Sequence, residues 1–85
     1  MEIHYFSWLR SRIGAARETV SPPPEVTTPG KLVDWLSGRD SRYRSLFAHP
    51  GAVTISVNDR LVEDWENHAL QSDDKISFFS PMSGG

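Results

Sequence analysis

Val53-Thr54-Ile55-Ser56-Val57-Asn58 alternates aliphatic and polar side chains without a break. Apolar residues recurring at every second position give a strand with one face to bury and one to leave in water. The chain must therefore build a sheet and cover one side of it. The cover begins at Thr28. Followed by Pro29, this threonine is a helix start: its hydroxyl can accept an orphan N–H, and proline at the first helical position has no N–H to lose. Leu32, Val33, Trp35 and Leu36 then form an apolar stripe at helical spacing, and Gly38 supplies the expected stop.

The remaining segments complete a small sheet. Glu2 to Trp8 is aromatic and β-branched, so it reads as a strand with Ile3 and Tyr5 on one face and His4, Phe6 and Trp8 on the other. Leu9 to Ala15 reads as a short helix closed by Gly14. Ala16 to Val20 is a second strand, stopped by Ser21-Pro22-Pro23-Pro24, whose missing N–H groups forbid ladder pairing. Arg42 to Phe47 is a further helical turn before His49-Pro50-Gly51. Asn58-Asp59-Arg60 is turn chemistry, Leu61-Val62 is briefly extended, and a polar loop runs from Glu63 to Asp74. Lys75 to Ser80 is the last strand, with Ile76 and Phe78 inward and Phe79 outward. The order predicts an α+β fold of β-grasp type, a mixed five-stranded sheet packed on one main helix, over residues 1–80. The uncovered face should be polar, and Phe6, Trp8 and Phe79 break that expectation.

Composition removes several classes of function. Eighty-five residues make one domain, which buries only roughly 60% of its unfolded surface and leaves little room for a large cleft. The absence of cysteine excludes disulfide staples, thiolate metal sites and a catalytic thiol. A net charge of −2 gives no basic footprint for nucleic acid, and the densest basic stretch, Arg39, Arg42 and Arg44, interleaved with Asp40, reads as a solvated loop or helix face, so no nucleic acid is expected. No apolar run is long enough to span a membrane. The start, from Met1 to Phe6, lacks the features of a signal or transit peptide, so the expected compartment is the cytoplasm.

Few residues offer chemistry of their own. His4, His49 and His68 have no ligand spacing, so no metal is expected. Glu63-Asp64 and Asp73-Asp74 read as turn and surface residues, the serines lack a base arrangement, and Arg10 is either a polar contact to a partner or a solvated helix residue. The exception is the end, Pro81-Met82-Ser83-Gly84-Gly85. Two glycines without Cβ atoms make a thin tail that can thread a narrow channel and carry its carboxylate into another protein. A frayed end has the same composition, so the dipeptide alone does not decide.

Its context is more specific. Leu9-Arg10-Ser11-Arg12-Ile13-Gly14 after an aromatic strand, Val57-Asn58-Asp59-Arg60-Leu61-Val62 in the middle, and Ser72 to Gly85 at the end resemble the MoaD/ThiS sulfur carriers, in their molybdopterin synthase small-subunit branch. The likeness covers nearly the whole chain. Ser80 stands where the family usually has a second proline and Met82 where it usually has valine. The resemblance implies a ubiquitin-like carrier, not an enzyme alone, whose flexible tail over residues 81–85 ends in the reactive Gly85, with Gly84 needed for the narrow approach. It implies that an ATP-using, MoeB-type adenylyltransferase activates the carboxylate and that a donor such as a cysteine desulfurase or rhodanese converts it to a covalent thiocarboxylate. No bound cofactor is implied. The sulfur goes to cyclic pyranopterin monophosphate in a MoaE-type large subunit, in a two-plus-two assembly. Positions matching Phe6, Leu61 and Phe79 would contact that subunit, with Pro81 and Met82 guiding the tail. Carriers for thiamine thiazole, cysteine or transfer-RNA thiolation, and ubiquitin-like modifiers, share the tail, and a passive β-grasp interaction module remains the alternative of another class.

Overall fold

In the first strand, β1 (Glu2–Tyr5), Ile3 and Tyr5 are buried as the alternation requires. The strand ends before Phe6 rather than running to Trp8. Ser7 adopts φ 58°, ψ −140°, outside any strand geometry, and Trp8 becomes the first residue of helix α1 (Trp8–Ile13), so its expected place on the outer face of a strand is corrected. Gly14, at φ 88°, closes α1 by donating its N–H to the Arg10 carbonyl at 2.9 Å. Strand β2 (Arg17–Thr19) then returns antiparallel to β1. The computed structural model describes residues 1–48 and 53–80, so the turn expected at His49-Pro50-Gly51 and the tail residues Pro81, Met82, Gly84 and Gly85 lie outside the described residues.

Helix α2 (Pro29–Arg39) starts as its sequence dictates: the Thr28 hydroxyl accepts the Lys31 N–H at 3.3 Å. Leu32 and Leu36 enter the core, whereas Val33 and Trp35 are half-buried at its margin. Gly38 does not stop the helix. A glycine stop needs the left-handed conformation, which Gly14 alone of the described glycines adopts. The break comes at Asp40, which is extended, and its carboxylate accepts the Arg42 N–H at 2.8 Å to open helix α3 (Ser41–Leu46).

The alternating segment is strand β3 (Thr54–Val57). It turns through Asn58 and Asp59, both at positive φ (52° and 69°), into strand β4 (Arg60–Val62). Two successive left-handed residues make the tight hairpin whose twist matches that of its strands. Asn58 also ties this turn to the last strand, β5 (Lys75–Phe79): its side chain accepts the Lys75 N–H at 3.0 Å and donates to Asp74 at 2.8 Å. Asp74 is thereby buried, not the surface residue expected, because its other carboxylate oxygen accepts the Gln71 N–H at 2.7 Å.

The strand order is β2-β1-β5-β3-β4, with β1 and β5 parallel at the centre and the other pairs antiparallel. Among the described residues the main helix does not cover the inner face alone, because both short helical segments contribute: α1 adds Leu9 and Ile13, and α3 adds Tyr43 and Leu46, to a core with Ile3, Ile55, Ile76 and Phe78. Each such aliphatic or aromatic side chain contributes roughly 1.5–3 kcal/mol by leaving water. One polar device crosses this layer. Tyr43 donates its hydroxyl proton to the Glu18 carboxylate, and Tyr5 donates to the Tyr43 oxygen at 3.0 Å. Burial, then the bond to Glu18, pushes the Tyr43 phenol up to about 12, and burial raises Tyr5 as well. Among the described residues, no helix is long and apolar enough to cross a membrane.

Candidate functional site: the outer sheet face

Pairing register decides what the uncovered face carries. His4 lies opposite Ser77, Ser77 opposite Ser56, and Ser56 opposite Leu61, so one row crosses four strands. Directly paired residues point to the same face of a sheet. The two serines in the middle are small and almost inaccessible between their larger neighbours. The next row brings Phe79 opposite Thr54, and Phe6 continues the outward alternation of β1 just beyond its last residue. The face is therefore a low hydroxyl-bearing centre with larger groups around it.

Those larger groups are sorted along the strands. At the start of β1 and β5 the face is charged. Glu2 lies opposite Lys75. Its carboxylate is 2.5 Å from His4 Nε2, a hydrogen bond that holds the Glu2 carboxyl below its ordinary range. Lys75 pairs with Asp59 at 2.8 Å. At the other end the face is apolar. Phe6 is 48% exposed and stacks on the His4 ring with centroids 6.5 Å apart, and Phe79 is half-buried; Leu61, 59% exposed, stands one row back on the edge strand, opposite Ser56. The Phe6 N–H donates to the Phe78 carbonyl at 3.0 Å, so Phe6 stands beside the end of β5. That is the end from which the chain leaves toward residue 81.

The structure thus gathers Phe6, Leu61 and Phe79 on one face. Trp8 is 41% exposed but sits on α1 at the rim, where the Arg12 guanidinium lies 6.0 Å over its ring. The serine pair was not singled out from sequence, although both residues fall on the polar phase of their strands. Only the register showed that they meet.

A family model, the ThiS family, matches residues 3–85, which is the sheet, its helices and the Gly84-Gly85 end together. The chain belongs to the ThiS family. Solved structures agree on the fold of this ThiS-family chain. It is similar to SAMP1 from Haloferax volcanii at 24% identity and a TM-score of 0.76, over 100% of this chain and 98% of that one. It is also similar to a chain in the complex of subunits 1 and 2 of molybdopterin-converting factor from Helicobacter pylori, at 21% identity and a TM-score of 0.65, over 99% and 96%. No curated protein matches it in sequence. The expected β-grasp is therefore observed, the ubiquitin-like fold of the MoaD/ThiS sulfur carriers.

Proposed function

We propose that this chain is the sulfur-carrying small subunit of a molybdopterin synthase, with Gly85 as the residue that carries the sulfur. The carrying observation is that the family match runs through the terminal Gly84-Gly85 and does not stop at the folded domain. A carboxylate is a poor electrophile. Attack of the Gly85 carboxylate oxygen on the α-phosphorus of ATP releases pyrophosphate and leaves an acyl-adenylate, whose AMP a sulfur nucleophile displaces at the carbonyl carbon. In this reading a MoeB-type adenylyltransferase supplies the activating site, a desulfurase or rhodanese supplies the sulfur, and a MoaE-type large subunit holds the pyranopterin that receives it. The carrier needs no catalytic side chain of its own, and the missing cysteine is no obstacle, because the transferred atom sits on the last main-chain carbonyl.

The apolar end of the outer face supports the partner assignment. Exposed Phe6 and half-buried Phe79 lie where β5 leads into the tail, and exposed Leu61 extends the same face one row back on the edge strand β4. Clustered exposed apolar groups on a small domain mark a partner surface. The similar chain from Helicobacter pylori comes from a complex of subunits 1 and 2 of molybdopterin-converting factor, which supports a partner subunit here.

The test is intact-mass measurement after incubation with ATP, a MoeB-type adenylyltransferase and a sulfur donor. Replacement of one oxygen by sulfur at Gly85 is the expected result, and its absence sinks the carrier reading. Thiocarboxylated protein mixed with a MoaE-type subunit and cyclic pyranopterin monophosphate should then yield molybdopterin. Failure at that stage, with sulfur loaded, moves the chain to another thiolation pathway. An amide adduct with lysines in place of the thiocarboxylate would make it a protein modifier.

A further inference from the structure

Residues 2–8 favour a strand through Trp8, yet β1 ends at Tyr5 and α1 begins at Trp8. Local preference is overruled at this corner. Ser7 makes it at φ 58°, ψ −140°, a conformation that residues with a Cβ rarely adopt, and its side chain makes no capping bond to α1. With six residues, α1 is too short to hold itself together in water. Leu9 and Ile13 anchor it in the core, and Arg42 anchors its end. A helix leaves its last carbonyls without partners of its own; Arg42 Nη1, from α3, donates to the Ile13 carbonyl at 2.5 Å. The guanidinium is itself braced, because the Asp40 carboxylate accepts from Nε at 3.2 Å and from Nη2 at 2.9 Å. A rigid fork held at two nitrogens has its third aimed.

The other end of α1 decides where the β1–β5 ladder stops. The two strands run parallel with Tyr5 opposite Phe78, and Phe6, just beyond β1, continues the pattern by donating its N–H to the Phe78 carbonyl at 3.0 Å. In a parallel ladder the carbonyl of such a residue accepts the N–H two positions further along the neighbouring strand. Here that donor is Ser80. The Phe6 carbonyl accepts the Leu9 N–H at 3.2 Å instead, the Ser7 carbonyl accepts the Arg10 N–H at 3.2 Å, and among the described residues Ser80 makes no bond to β1. β5 accordingly ends at Phe79. Were α1 to unwind, the strand that residues 6–8 favour would run on. It would draw Ser80 into the ladder.

We propose that Arg42 is a positioning residue for the reactive tail: braced by Asp40, it pins α1, whose first turn occupies the Phe6 carbonyl and so keeps Ser80 out of the sheet. This deepens the carrier reading above and rests on it. Each residue drawn into the ladder shortens the reach of Gly85 by roughly 3.3–3.6 Å. Only residues 81–85 follow Ser80, so pairing of even one or two residues matters to an active site that must receive the carboxylate. Arg42 touches neither that site nor the carboxylate. It sets the length of chain that can be offered.

The experiment follows ATP-dependent pyrophosphate release by a MoeB-type adenylyltransferase, with the full chain as the varied substrate, for wild type, Arg42→Ala, Arg44→Ala and the double variant Arg42→Ala with Ser80→Pro. Arg42→Ala leaves the cap of α3 in place, since Asp40 accepts the main-chain N–H of residue 42. Arg44→Ala removes the same charge from the same helix, and among the described residues the hydrogen bonds from α3 to α1 involve Ser45 and Arg42, not Arg44. Proline at position 80 has no N–H to donate, so it ends the ladder whatever α1 does. Arg42→Ala should raise KM for the chain about fivefold with kcat unchanged, because only molecules with Ser80 out of the sheet bind productively. Arg44→Ala should keep wild-type values, and Ser80→Pro should restore KM in the Arg42→Ala background. Hydrogen exchange adds a signature that general destabilisation does not give: in Arg42→Ala the Leu9 amide exchanges about tenfold faster while the Ser80 amide becomes protected. Unchanged KM, a rise in KM that Ser80→Pro leaves in place, or a Ser80 amide no better protected overturns the proposal. If wild type releases no pyrophosphate, the carrier reading itself fails, and exchange at Leu9 and Ser80 still decides whether Arg42 ends the ladder.

Discussion

Gly14 and Gly38 each follow a run of helical residues, yet they do opposite things. Gly14 occupies φ +88°, a conformation that costs an L-residue about 1 kcal/mol. Gly38 is helical, the last residue but one of α2, and a Cβ there would meet nothing within 4 Å. Gly38→Ala should therefore stabilise the protein by about 0.5–1 kcal/mol, since alanine keeps more helix propensity and leaves the unfolded chain less freedom to lose. Gly14→Ala should destabilise it by about 1 kcal/mol. Denaturant midpoints of the two variants decide the matter, and equal shifts would contradict the assigned backbone conformations.

At the level of elements, the tyrosine pair links β1 and α3 through Glu18 of β2, and these are the chain's only two tyrosines. A phenol whose folded pKa is raised keeps its proton when the unfolded chain would have lost it. The stability this represents is whole below pH 10 and is lost as pH rises from there through about 12 for Tyr43. The amount is of order 2 kcal/mol. The native protein should show no tyrosinate absorbance near pH 10, where the denatured chain does, and the signal should appear together with loss of helical circular dichroism. Tyr43→Phe should lessen the alkaline loss of stability. A tyrosinate signal that titrates near pH 10 in the folded protein would refute this account. The acidic cap behaves in the opposite sense. Asp40, held below its ordinary range by its bonds to Arg42, loses its contribution as pH falls through its folded value.

Across the whole molecule the two surfaces have separate characters. The outer sheet face grades from charged to apolar toward the tail, while on the helical side Arg12 and Arg42 tie α1 to α3. Leu61 is the cleanest probe of the first, because at 59% exposure its truncation to alanine removes little buried area. Leu61→Ala should change unfolding stability by no more than about 0.5 kcal/mol while weakening association with a MoaE-type subunit by about tenfold or more, the cost expected of an interface anchor. Titration calorimetry checks this, and unchanged affinity would remove Leu61 from the interface. Phe79→Ala is less clean: the ring is half-buried opposite Thr54, so its loss acts on the sheet as well as on the partner.

Features carried by neighbouring residues were legible along the chain. Alternation at residues 53–57, the Thr28-Pro29 start, the turn at Asn58-Asp59 and the Gly84-Gly85 end each depend on side chains within a few positions of one another. They specified the elements, the β-grasp order and the family likeness. Legibility ended where backbone conformation competes with residue type. Ser7 broke a strand that its neighbours favour, and Gly38 continued a helix that glycine usually ends, because neither φ is dictated by the side chain. Contacts between distant segments were decided by packing alone. Asp74 is buried because Asn58, sixteen residues earlier, meets it. The serine pair exists because β5 lies between β1 and β3. Arg12 and Ser45, thirty-three positions apart, meet because the apolar residues beneath them, Leu9, Ile13, Tyr43 and Leu46, fill the same core.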